Sequence, residues 1–138
     1  MASSPEVVSL EREHLPGVIE LFSGERWSYA DDEQRTWRAL TAPGSLSLVA
    51  LWPERTVIGI AQVLSDGEVQ AFLAVLVVAC QHRREGVALR LVEEARARTR
   101  CLRFDVISCA DPFYERLGFR RVSGFRLPGD VGLREHDA

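Results

Sequence analysis

Six consecutive residues, Arg83-Arg84-Glu85-Gly86-Val87-Ala88, carry the first suggestion of chemistry in this chain. Nine apolar residues, Ala71 to Ala79, run up to them, and an amphipathic pattern follows. A loop leading from a buried strand into a helix start turns the unpaired N–H groups of the first helical turn outward. The helix dipole adds partial positive charge at the same point, so such a junction attracts anions. Gly86 permits a conformation or a close approach that a side chain would block. Ala88 is small enough for the same crowding, and Arg83 and Arg84 offer charge-assisted donors suited to phosphate oxygens. The expected phosphate site is therefore the backbone N–H groups from Arg84 to Leu89. Alone, the motif reads better as a solvated basic turn with a routine glycine; its place between strand and helix favours the anion.

A second stretch, "ADPFYERLGFRRV", places Tyr114 beside Phe113 on a short helix that Gly118 ends. A tyrosine there can keep its ring packed while its hydroxyl reaches a cleft, although an ordinary amphipathic surface tyrosine fits the same pattern. His14, His82 and His136 are scattered and suggest neither a metal site nor a triad. Cys80, Cys101 and Cys109 are odd in number and lack ligand spacing, which reads as reduced, mostly buried thiols.

The elements that must position these residues follow from periodicity. Glu6 to Leu10 reads as a short strand. "HLPGVIELFSG" is a helix with Leu15, Val18, Ile19 and Phe22 inward, and "YADDEQRTWRAL" is a second with Asp31 or Asp32 as N-cap and Trp37 and Leu40 inward. "LSLVALW" and "TVIGIAQVL" are strands joined by "PER", and "SDGE" turns into the long apolar strand. A helix over about Gly86 to Thr99 buries Ala88, Leu91, Val92 and Ala95. The strand "LRFDVIS" then implies a right-handed parallel crossover. A short helix with Asp111 as N-cap comes next, with Phe113, Leu117 and Phe119 inward, and "FRRVSGFRL" is expected as a final strand. The fold class is α+β: a mixed sheet, antiparallel early, with its fourth and fifth strands parallel, flanked by helices.

With 138 residues, residues 1–138 read as one domain with a real core. A formal net charge of −3 gives no long-range attraction for nucleic acid or anionic membrane. The start "MASSPEVVSL" lacks a signal-peptide layout, and the apolar run is too short to span a bilayer, so the expectation is a cytoplasmic protein.

On the strength of R-R-E-G-V-A after the fourth strand and "FYERLGF" late in the chain, the sequence resembles the GNAT superfamily of acyl-CoA-dependent N-acyltransferases. The order of elements agrees over almost the whole chain. The resemblance implies a loop, Arg83, Arg84, Glu85, Gly86, Val87, Ala88 and Leu89, that holds the pyrophosphate of acetyl-CoA. It implies splayed fourth and fifth strands, with the pantetheine arm and thioester carbonyl meeting Leu76, Val77 and Val78, where a backbone N–H polarises the carbonyl. Tyr114 matches the family's general acid for the departing thiolate. Cys80 stands where a proline is common, and "VISCAD" lacks the frequent asparagine, with Ser108 as a substitute.

A lysine-like amine has a pKa near ~10.4, so attack needs a proton acceptor. Glu68 at the start of the fourth strand is the preferred base and Asp105 on the fifth the other candidate, with a solvated turn residue the competing reading of Glu68. Asp31-Asp32-Glu33 either caps a helix or attracts a cationic amine. The expected activity is acetyl transfer to a primary amine of a small molecule, without a metal; the alternatives are an acetyl-CoA-binding sensor without turnover and a protein N-terminal or lysine acetyltransferase. Phe125, Leu127 and Val131 suggest a homodimer contact.

Overall fold

The computed structural model describes residues 4–108 and 111–127. Five strands lie side by side in chain order: β1 (Glu6–Ser9), β2 (Ser45–Leu51), β3 (Val57–Ser65), β4 (Gln70–Val78) and β5 (Arg103–Val106). The first four pair antiparallel, and β4 pairs β5 parallel. The expected mixed α+β sheet is therefore present.

Local chemistry sets the turns. Between β2 and β3, the Trp52 N–H donates to Thr56 O at 2.8 Å while Glu54 and Arg55 take φ of 54° and 66°. Two successive left-handed residues give the twist that a tight hairpin requires. Between β3 and β4, the Asp66 carboxylate accepts the N–H groups of Glu68 and Val69 at 2.8 Å and of Gln70 at 3.1 Å. Those backbone bonds, Glu68's first, hold the Asp66 carboxyl below the usual carboxylate range.

Helices cover both faces of the sheet. On one, α3 (Val87–Thr99) buries Val87, Leu91, Val92 and Ala95 against Leu48, Ala50, Ile58, Ala61 and Val63. On the other, α1 (Leu15–Gly24) and α2 (Glu33–Leu40) bury Val18, Phe22 and Leu40 against Val49, Leu51, Ile60, Val75 and Val77. Beyond Ala74, β4 is buried on both faces, with Val75 and Val77 in one core cluster and Val78 in the other, so its end reads as an apolar run rather than an alternating one. A Cβ on Gly59 would meet Leu91 Cδ1 at 3.1 Å and Val87 Cγ1 at 3.2 Å, so α3 sits directly on the β3 backbone. That contact places the start of α3.

Several details depart from the sequence expectation. Asp32 is the N-cap of α2, its carboxylate accepting the Arg35 N–H at 2.9 Å. The inward positions of α2 are Thr36 and Leu40, whereas Trp37 is half-buried with the Arg12 guanidinium 5.0 Å from its ring centre. In α3, Val87 takes the fully buried place expected of Ala88. Cys80 is exposed and Cys101 half-buried, correcting the picture of buried thiols; Cys109 lies outside the described residues. Beyond α4 (Asp111–Arg116), residues 119–127 form no strand, because Phe125 and Leu127 meet no packing surface and stand 100% and 92% exposed. Val131 and His136 lie outside the described residues. No helix among the described residues is long and apolar enough to cross a membrane.

Candidate active site

The ladder between β4 and β5 is short, running from Gln70↔Arg103 to Leu73↔Val106. At the next residue, Ala74, the β3–β4 register slips, because Gln62 faces Val75 while Val63 faces Leu73. The extra residue is a β-bulge, which bends and twists the strand that carries it. The bulge and the end of the β4–β5 ladder coincide, so the pairing stops just short of Leu76–Val78, where the sequence resemblance implies a gap.

Alternation identifies which backbone groups line that gap. Ala79 N–H donates to Ile58 O at 2.8 Å, so Ala79, Val77 and Val75 bond toward β3. Leu76 and Val78 consequently turn their N–H and C=O groups to the β5 side. Val78 O accepts the Arg83 Nε–H at 3.1 Å. Of the three residues expected at the carbonyl, Leu76 and Val78 present backbone to the gap, and Val77 does not.

The loop after β4 makes a 3₁₀ turn over Cys80–His82, and Arg84 and Gly86 then adopt φ of 65° and 81°. His82 Nδ1 and Glu85 Oε2, 3.0 Å apart, tie the loop to itself. Gly86 is the N-cap of α3, and its carbonyl accepts the Arg90 N–H at 3.1 Å. Among the described residues, no backbone N–H from Arg84 to Leu89 donates to another backbone or side-chain group. Space around the Gly86 Cα is open, with nothing within 4 Å of where a Cβ would stand. Six unspent donors around an open glycine at a helix start fit a pyrophosphate.

Tyr114 on α4 is held edge-on by Phe113, at 4.8 Å between ring centres, and by Phe119 at 5.4 Å; Phe119 in turn meets Phe104 of β5 at 6.1 Å. Burial pushes the phenol above its ordinary value, and a hydrogen bond with Ser108, two residues beyond β5, works in the opposite direction. The net effect keeps the phenol protonated. Because β4 and β5 are parallel, the carboxyl end of β5 is also the Leu76–Val78 end of β4. The structure thus brings Leu76, Val78, the Arg84–Leu89 N–H groups and Tyr114 to one end of the sheet.

The candidate bases are elsewhere. Glu68 is exposed in the β3–β4 turn, its N–H bound by Asp66. Leu76 lies six residue steps beyond Gln70 along β4, about 20 Å at ~3.3 Å each. Asp105 is exposed beside Phe72, within the closed part of the ladder. In the acidic cluster, Asp32 caps α2 and Glu33 meets Arg12 at 3.4 Å. A broad groove of about 1390 Å³ is lined by Phe72 of β4, by residues 101–108 in and around β5, by Tyr114 and by residues 117–126.

Sequence reasoning missed Glu25. Its Oε1 accepts from the Arg83 guanidinium at 2.9 Å, across 58 positions of sequence. No local pattern announces a partner so distant, although a carboxylate just past a helix that has no basic residue in its last turn is a weak sign of one.

A family model for the acetyltransferase (GNAT) domain matches residues 8–126. The chain belongs to the GNAT acetyltransferases. A GNAT-family acetyltransferase of Streptococcus pneumoniae is 20% identical with a TM-score of 0.74, the match covering 92% of this chain and 98% of that one. An aminoglycoside 6'-N-acetyltransferase of Acinetobacter haemolyticus is 22% identical with a TM-score of 0.69 over 91% and 99% of the two chains. A second such enzyme, from Acinetobacter baumannii, is 19% identical with a TM-score of 0.73 over 93% and 99%. At these identities the structures speak for the fold. A comparison with curated proteins found no match.

Proposed function

We propose that this protein transfers the acetyl group of acetyl-CoA to a primary amine of a small molecule, in the cytoplasm and in a ternary complex. The carrying observation is the end of the β4–β5 pairing at Ala74, with the Leu76 backbone open on one side and the protonated Tyr114 at the same end. The likeness to two aminoglycoside acetyltransferases of Acinetobacter supports a small-molecule amine.

Acetyl-CoA supplies an activated thioester. The N–H groups from Arg84 to Leu89 hold its pyrophosphate. The Leu76 N–H donates to the thioester oxygen, where negative charge grows as the amine attacks. As the C–N bond forms and the C–S bond breaks, the Tyr114 hydroxyl gives its proton to the departing sulfur. The proton lost by the amine passes to water, from which Tyr114 is reprotonated. The exposed Phe125 and Leu127 support a homodimer through that face, which light scattering tests by mass.

A thiol-release assay with acetyl-CoA and a panel of amines, kanamycin and spermidine among them, tests the activity. Turnover with any member supports transfer. Tight acetyl-CoA binding without turnover on small amines, peptides or protein N-termini would leave the sensor reading in its place.

A further inference from the structure

The Arg83–Glu25 pair joins two parts of the molecule that the proposed reaction has to use together. Arg83 belongs to the loop assigned to pyrophosphate, yet its guanidinium already serves two acceptors, Val78 O through Nε and Glu25 Oε1 through Nη2. Glu25 is the residue at which α1 ends, beside last-turn carbonyls of which Phe22 O accepts the Glu25 N–H at 3.1 Å and Ser23 O the Arg26 N–H at 3.0 Å. Those carbonyls carry partial negative charge, and the last turn of α1 contains no basic residue to balance it. A carboxylate there is locally unfavourable, and Arg83 is what offsets it. Two residues further, the half-buried Trp27 ring lies 5.0 Å from Phe22, an aromatic wall beside the same helix end.

An anion on the Arg84–Leu89 donors would sit on the loop that carries Arg83. One guanidinium charge would then face both the phosphate and the Glu25 carboxylate. Two like charges that share one counter-ion repel each other. Either the ion pair opens and the carboxylate turns away, or the two anions remain adjacent; both outcomes make Glu25 oppose anion binding. A carboxylate so displaced stands at a helix end rich in carbonyls and lacks its counter-ion, which is a site for a cation.

Resting on the transferase reading above, we infer that Glu25 binds the positive charge of the acceptor amine and is masked by Arg83 until the phosphate of the donor draws the guanidinium away. The donor thereby prepares the acceptor site, and by linkage a bound cation tightens the donor. Glu25 is a binding and positioning residue in this scheme. It holds the ammonium form on arrival, before water removes the proton.

Titration calorimetry of CoA with the parent protein and Glu25→Gln tests the first half. The near-isosteric variant should bind CoA about 2–5-fold more tightly at low salt, as expected for loss of an exposed charge interaction, and the gain should shrink as salt screens it. In ¹⁵N spectra, the Arg83 Nε signal should move when CoA is added to the parent. Without CoA it should already be displaced in Glu25→Gln. Spermidine, as a probe polyamine, tests the second half. It should bind the CoA complex of the parent more tightly than the free parent, and this enhancement should vanish in Glu25→Gln. An unchanged CoA affinity in the variant would overturn the masking. Equal spermidine enhancement in both proteins would remove Glu25 as the cation anchor. Absence of CoA binding to either protein would instead remove the transferase reading along with the inference.

Discussion

The two ends of the candidate site are built from different materials. The loop after β4 offers main-chain N–H groups, aimed by the docking of α3 on Gly59 and by the left-handed turn at Gly86. The corner at Tyr114 offers one hydroxyl, aimed by Phe113, Phe119 and Ser108. Binding spread over six donors tolerates most side-chain changes, since no single side chain supplies them. Chemistry concentrated in one hydroxyl does not tolerate loss of that group. Substitutions should therefore separate affinity from rate.

Tyr114→Phe should have the largest effect. Both rings keep their edge-on contacts and only the hydroxyl is lost, so kcat should fall about 10²–10⁴-fold, the usual worth of a positioned general acid. CoA affinity by calorimetry should stay within about 2-fold. A large affinity loss would show that the corner helps hold the donor, and an unchanged kcat would show that the sulfur takes its proton from elsewhere.

Gly86→Glu should do the reverse. A side chain forced to φ of 81° costs ~1–2 kcal/mol, and the new carboxylate would stand among the phosphate donors. CoA affinity should fall by at least about 10-fold, with the fold retained by circular dichroism. Gly86→Ala separates the causes, because a methyl there meets no atom within 4 Å and carries only the backbone strain. If alanine weakened CoA as much as glutamate, shape rather than charge would govern the loop.

The contrast also explains what could be read from sequence. The loop was legible because its function depends on local facts: a glycine, a helix start and an apolar strand, all within Ala71 to Thr99. Tyr114 is placed by family resemblance alone, since a tyrosine on a short helix is common; its Ser108 partner enters the sequence reading only as a substitute on the donor side. Glu25 and the bulge at Ala74 were invisible, because one depends on a partner 58 positions away and the other on the register between two strands. The strand expected in "FRRVSGFRL" failed because apolar alternation needs a surface to bury against, and Phe125 has none.

The raised pKa of Tyr114 gives a smaller effect with a definite sign. A group whose folded pKa lies above its unfolded value of about 10 contributes stability that is complete below that pH. The contribution is lost as pH rises from there through the folded value. Urea midpoints should therefore fall above about pH 10 in the parent and less in Tyr114→Phe. The alkaline limb of kcat should also lie above the ordinary tyrosine range. Parallel stability curves for the two proteins through pH 11 would refute the burial argument.

The smallest effect should come from Glu68→Gln. If Glu68 were the base, the loss would appear at low pH, where amine deprotonation limits the rate. Its place in the turn argues otherwise. The carboxylate is exposed, its own N–H is held by Asp66, and β4 carries the chain about 20 Å onward before Leu76 faces the gap. A group that far away cannot take a proton directly from an amine at the thioester. Substitution should leave kcat/KM within about 2-fold from pH 6 to 9, and the turn should persist because Asp66 supplies its hydrogen bonds. A selective loss below pH 7 would mean that the acceptor lies at the closed end of the β4–β5 ladder, and the comparison between loop and Tyr114 corner would then have to include a third region.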